Sequence, residues 1–294
     1  MPCRLSHVAF VDYVDFILNL AGLLLWLNWR VSLADPLDKR RPATLIGTLR
    51  RAVPGGMWSR WQLPAILAGL LLLRAVVYWK IGPAVGWNGK LDLAVATPFF
   101  RSNLFSHMVL FSIFSFARML GIVYLWLLLL SILSGPEPVH RLVRIPLGRI
   151  DRWPRWLKFL LPLLVTALVW GLASWPFAWL HSRPAMSPAQ RIEEALVIGL
   201  SAYLAWKFVI GALLALRLLN TYIYFGNHPF WNYVNATART LLKPLNKIPL
   251  RAGKVDFAPV AGIALVFLLS FLLLNGIKLF NVPGLTEIYG RLSI

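Results

Sequence analysis

Residues 257–279 read FAPVAGIALVFLLSFLLLNGIKL, an apolar run that contains no acid and whose one cation, Lys278, stands at its far end. About 20 residues of this kind span a hydrocarbon core about 30 Å thick. Nothing in the run alternates with period two, and a backbone in lipid must satisfy its own hydrogen bonds, so it predicts a transmembrane helix. Working outward, five more stretches read the same way: Val14–Trp29, Trp61–Trp79, Met108–Leu133, Leu157–Leu180 and Ala195–Phe225. The first is short, and the fifth is long enough to tilt or to extend into water. Aromatic residues mark several ends, among them Trp26, Trp29, Trp61, Tyr78, Trp79, Trp175 and Trp179. The fold class predicted is an all-α membrane protein with about six transmembrane helices.

Composition agrees. Of 294 residues, 59% are hydrophobic and 14% charged, and 30 Lys+Arg against 11 Asp+Glu give a net charge of +19. Mean hydropathy is +0.67. A soluble nucleic-acid binder can be this basic but not this apolar, and a disordered chain lacks 14 Trp and 17 Phe. The lone Cys3 excludes an internal disulfide or a Cys-based metal site. Arg4 alone precedes the first apolar stretch and no small-residue cleavage site follows it, so that stretch is expected to remain as a helix.

The cations are not scattered. Eighteen of the 30 fall in three loops: residues 30–60, the segment from Arg141 to Lys158 at the junction of spans three and four, and the segment between spans five and six. The positive-inside rule places these loops in the cytoplasm and both termini outside, with a bacterial inner membrane as the expected location. The three loops also resemble one another. Arg50 and Arg51 precede Pro54, Arg144 and Arg149 flank Pro146, and Arg239, Lys243, Lys247 and Arg251 surround Pro244 and Pro249. Ten residues separate Pro54 from Pro64, as they do Pro249 from Pro259. The organisation predicted is hairpin repeat 1 at 1–80, a linker at 81–107, repeat 2 at 108–180, a linker at 181–192, repeat 3 at 193–280 and a tail at 281–294. Proline near the start of the next span suits a first helical turn, where no backbone hydrogen bond is lost, although in the looser second copy Pro162 falls inside the fourth span.

Within the third loop Phe230, Trp231, Tyr233, Val234, Ala238, Leu241, Leu242, Leu245 and Ile248 recur at three- and four-residue steps, with Asn232, Asn235, Arg239, Lys243 and Lys247 elsewhere. This describes an amphipathic helix, ended by Pro244 or Pro249, lying in the interface with a basic face toward lipid headgroups. Arg50, Arg51, Arg144, Arg149, Arg239 and Arg251 are the cations expected to face anionic lipid, at about 1 kcal/mol each. The alternative is that they only fix topology.

The residues Asn227, Pro229, Lys243, Pro244, Lys247, Pro249, Gly253, Asp256 and Pro259 resemble the loop motif of the YggT/YlmG family of small bacterial and plastid membrane proteins. The resemblance is best over 217–275, with the other two hairpins as diverged copies. Thr237-Ala238-Arg239 stands where the family tends to have Thr-Glu-Pro, and Ala258 where it tends to have Ser. The resemblance implies a role in cell-division or envelope processes, or in membrane-complex assembly. It implies no catalytic residue.

Catalytic and cofactor patterns are otherwise missing. The five histidines have no metal spacing, and no glycine-rich phosphate loop or nucleophile elbow occurs. The chain is expected to be no enzyme and to need no cofactor. Its expected partners are the bilayer, anionic lipids, and a membrane protein or second copy; nucleic acid is disfavoured. The acids are expected to stay near span ends, with Glu193 and Glu194 flanking the fifth span. Arg74, beside Tyr78, Trp79 and Lys80, is expected to snorkel. Arg118, Lys207 and Arg217 lie deeper, where a charge costs about 2.5–3.5 kcal/mol on insertion scales, and are expected to face a bundle interior, a cavity or a partner. Arg217 comes within reach of Asp256 if spans five and six pack together, although Asp256 also suits a helix cap. A scaffold is the leading functional reading, and an anion-favouring channel lined by Arg118, Lys207 and Arg217 the alternative.

Overall fold

The structure is a computed structural model. It describes residues 2–34, 57–133, 145–179, 187–223, 228–245, 250–252, 255–277 and 280–292. Arg50, Arg51, Arg144, Asn227, Lys247, Pro249 and Gly253 lie outside the described residues. Among those described are nine α-helices: α1 (Pro2–Ala34), α2 (Met57–Val85), α3 (Phe105–Leu133), α4 (Arg155–Trp179), α5 (Pro188–Ser201), α6 (Trp206–Tyr222), α7 (Pro229–Leu242), α8 (Ala258–Asn275) and α9 (Leu285–Leu292). Three two-residue antiparallel pairs complete the regular structure: β1 (Gly89–Lys90) with β2 (Phe99–Phe100), β3 (Arg251–Ala252) with β4 (Val255–Asp256), and β5 (Gly276–Ile277) with β6 (Val282–Pro283). Among the described residues, six helical segments are long and apolar enough to cross a membrane: Val11–Val31, Trp61–Val85, Phe105–Leu133, Arg155–Phe177, Pro188–Tyr222 and Ala258–Asn275. The chain is thus an all-α multi-pass membrane protein.

Several boundaries differ from expectation, each for a local reason. The first span is not short: its helix runs through Asp12 and Asp15 because both carboxylates find partners inside the fold. The fifth is not one helix. A 3-10 segment, Ala202–Ala205, separates α5 from α6. Helix α5 begins at Pro188, inside the predicted linker, where Ser187 and Gln190 form a reciprocal capping box and Pro188 takes the first turn. The predicted tail carries α9, which packs on α5 and α8. The predicted linker 81–107 carries the β1–β2 pair. Pro259 does occupy the first turn of α8. Pro64 does not occupy a first turn, since it lies inside α2, and Pro162 lies inside α4 as expected.

The chain forms two compact units, Met1–Leu91 with Pro98–Gly121, and Asp92–Thr97 with Ile122–Ile294. The dividing point between Gly121 and Ile122 falls within α3, not between predicted hairpins. In the first unit α1 packs on α2, and Gly22 lets the helices close, since a Cβ there would meet Phe116 at 2.9 Å and Leu67 at 3.3 Å. An aromatic cluster of Tyr78, Trp87, Phe100 and Phe111, with centroids 5.1–5.9 Å apart, seats the β1–β2 pair. In the second unit α4 packs on α5, and α6 packs on both α7 and α8. Leu214, Ala238, Leu242 and Ala258 form the core of that second group.

Candidate functional site

The first unit buries a charge. Arg74 on α2 is 1% exposed. One guanidinium nitrogen, Nη1, donates to Asn19 Oδ1 at 2.6 Å. The other, Nη2, donates to the Ser112 carbonyl at 3.0 Å and lies 3.3 Å from Asp15 Oδ1. Arg74 therefore does not snorkel. Asp15, four residues into its span, is an intramembrane acid. Its Oδ1 also accepts from the Tyr78 hydroxyl at 3.0 Å, and its Oδ2 from Asn19 Nδ2 at 3.0 Å and Ser115 Oγ at 2.9 Å. Asn19 Nδ2 further donates to Ser115 Oγ at 2.9 Å. The Arg74 guanidinium lies 5.7 and 5.9 Å from the ring centroids of Tyr78 and Phe111. Nearer the start of α1, Asp12 accepts from Trp87 Nε1 at 3.2 Å. Four donors on one carboxylate and an opposite charge on the guanidinium make the cluster neutral and hydrogen-bonded, the condition under which a charge persists away from water. Its members come from α1, α2 and α3, so the ion pair joins three helices.

A second, smaller cluster lies in the other unit. Lys158, at the start of α4, donates from Nζ to Ser131 Oγ at 2.7 Å and to the Asp151 carbonyl at 2.6 Å, with Asp151 Oδ1 3.7 Å away. Ser131 Oγ donates to Asp151 Oδ1 at 2.7 Å. A 3-10 turn, Gly148–Arg152, presents Asp151 inward, and Gly148 takes the positive φ of 59° that opens the turn. Lys158 is thus a buried clamp between α3 and α4. Elsewhere in this unit two indoles cross. Trp126 Nε1 donates to the Ala205 carbonyl at 2.9 Å, and Trp206 Nε1 to the Leu125 carbonyl at 3.0 Å. They hold the 3-10 segment against α3. Glu194 is 2% exposed and lies within the fifth span, so it does not merely flank it.

The predicted deep cations do not share one environment. Arg118 is exposed, and makes no hydrogen bond or ion pair among the described residues. Lys207 is half-buried, its Nζ 5.0 Å from the Phe208 ring centroid. Arg217 is half-buried and lies in the fields of Asp256 and Arg239. The ion pair with Asp256 does not close, and Asp256 Oδ1 instead caps α8, accepting from Ala258 N–H at 3.0 Å. Lys207 and Arg217 are ten residues apart on one helix, about 15 Å along its axis.

The motif residues frame α7. His228 caps it, its Nδ1 accepting from Phe230 N–H at 3.3 Å, and Pro229 occupies the first turn. The helix ends at Leu242, with Lys243 as the cap and Pro244 following, as the sequence predicts. Tyr233, Val234, Ala238 and Leu242 are buried, the last two in the core with Leu214 of α6 and Ala258 of α8, while Arg239 and Lys243 are exposed. That part of the apolar face is occupied by protein, while Phe230 at the start of the helix stays exposed. Pro259 is buried, Arg149 is exposed on the turn that carries Asp151, and Arg251 lies on β3. Thr237, on the buried face of α7, is 2% exposed and faces the core. No protein-family model, curated protein or solved structure matches the chain.

Proposed function

We propose that the chain is a non-enzymatic membrane scaffold or assembly factor of the YggT type, acting in envelope, cell-division or membrane-complex biogenesis from a bacterial inner membrane. Its basic cytoplasmic face engages anionic lipid or a partner's acidic surface. The observation that supports this reading is α7. Tyr233, Val234, Ala238 and Leu242 are buried, and Ala238 and Leu242 share a core with Leu214 of α6 and Ala258 of α8, so Arg239 and Lys243 are held outward on a helix anchored in the fold. Polybasic segments beside a membrane gain about 1 kcal/mol per cation from anionic lipid. The test is melting of the purified chain in mild detergent with added phosphatidylglycerol or phosphatidylcholine. The anionic lipid should raise Tm for the native chain and much less for the triple variant Arg239→Gln, Lys243→Gln, Arg251→Gln. An equal rise in both would remove the lipid contact.

A transporter is the second reading, and the Asp15–Arg74 pair is what favours it, because coupled transport usually employs an intramembrane carboxylate. Against it, Asp15 is saturated by donors from three helices, which suits a clamp better than a carrier. Liposome flux separates the readings. Anion flux that depends on Arg118, or proton flux that depends on Asp15, would overturn the scaffold.

A further inference from the structure

Arg118 is the feature that neither the clusters nor the lipid contact uses. It stands 13 residues after Phe105 and 15 before Leu133 in the α3 span. At about 1.5 Å per residue that is about 20 Å from each end. The interface of a core about 30 Å thick is then about 15 Å away, beyond the reach of one side chain, so snorkelling gives it no exit. Its side chain is exposed and has no hydrogen bond or ion pair among the described residues. Charges at this depth face protein and are paired. The surroundings are shaped for a close neighbour. Ala117 is exposed beside it, and Gly121, one turn on, has nothing within 4 Å of where a Cβ would stand. Residues 117, 118 and 121 share one helix face, and small residues on such a face let a second backbone approach.

A second copy of this chain does not supply the missing partner. Two copies with the same orientation place every residue at its own depth, so the level of Arg118 would hold another Arg118. The described acids within spans, Asp12, Asp15, Glu193 and Glu194, all fall in the first seven residues of Val11–Val31 or Pro188–Tyr222, near span ends. We propose that the α3 face formed by Ala117, Arg118 and Gly121 docks a transmembrane helix of another protein that carries Asp or Glu near its middle. The assignment rests on the scaffold reading and supplies the chemistry of its partner.

The test places a photoreactive residue at Ile113, an exposed position one turn before Ala117, in the full chain in its native membrane. The expected adduct joins Ile113 to a membrane protein whose cross-linked helix has a mid-span carboxylate. Arg118→Met should lower the adduct by about tenfold or more, in line with loss of a buried charge pair. Gly121→Leu, which keeps the charge but blocks close approach, should lower it as well, and decides the matter if Arg118→Met does not accumulate. Arg118→Asp should abolish the adduct, and changing the partner's carboxylate to Arg should restore it. Adducts only to lipid, to a second copy or to residues 122–294 of the same chain would overturn the proposal. So would a partner adduct unchanged in both variants, although that result leaves the scaffold reading standing. Lipid adducts alone, with no co-purifying membrane protein, would remove both.

Discussion

At Asp15 one carboxylate carries four contacts from three helices, and the consequence of losing it is set by what remains. Asp15→Leu leaves Arg74, 1% exposed, with its charge uncompensated. Removing one member of a buried pair typically costs about 3–5 kcal/mol, whereas replacing both with apolar residues is often neutral. Chemical denaturation in detergent should therefore show Asp15→Leu strongly destabilised, and Asp15→Leu with Arg74→Met recovering most of the loss. Additive effects of the two changes would mean that the pair is not coupled. The sequence placed Arg74 among Tyr78, Trp79 and Lys80 and so read it as an end marker. Spacing along a helix reports depth, but it does not report that Asn19, 55 residues away, and Ser112 converge on the guanidinium. Lys158 misleads in the same way, since its partner Ser131 belongs to the preceding span.

Elements meet where side chains are small or where an indole finds a carbonyl. A Cβ on Gly199 would stand 2.8 Å from the Leu163 backbone oxygen, across the α4–α5 contact. Backbone does not yield as a side chain tip does, so Gly199→Ala should destabilise by about 1–3 kcal/mol, the usual penalty of overpacking. Gly171, on α4, has open space around it, and Gly171→Ala should be neutral or slightly stabilising. Equal melting of the two variants would contradict the packing. The crossed indoles give a further expectation. Trp206→Phe keeps the ring but removes the donor to Leu125, and should lower stability by about 1 kcal/mol. Helices were the legible part of this scale. The Ser187–Gln190 capping box was also legible as a Ser-x-x-Gln signature, but polar residues on either side made it read as linker.

For the whole molecule, the prediction concerns orientation. Eighteen of 30 cations lie in three loops that all fall on one side of the membrane if each predicted span crosses once. A reporter fused after Ile294 should therefore be active only on the side opposite those loops, and cytoplasmic activity there would overturn the topology. The partition of the fold is a separate matter. The compact units divide at Gly121–Ile122, and the short segment Asp92–Thr97 belongs with the later residues, not with its neighbours in sequence. Lys158 and Arg74, counted as two cations among 30, are internal clamps in different units. The net charge of +19 thus overstates the free basic surface.

By itself the sequence determined that the chain crosses a membrane as helices, roughly where, and that α7 is amphipathic and stopped by a proline. Those features depend on local rules: lipid forces each segment to satisfy its own backbone, and proline sets helix ends. The tertiary structure alone decided the fate of the charges. Asp15 meets Ser115, 100 residues distant, and Arg74 between them, while Arg118 is left facing outward. Pairing depends on which helix faces which, and residues so far apart carry no local signal of that choice.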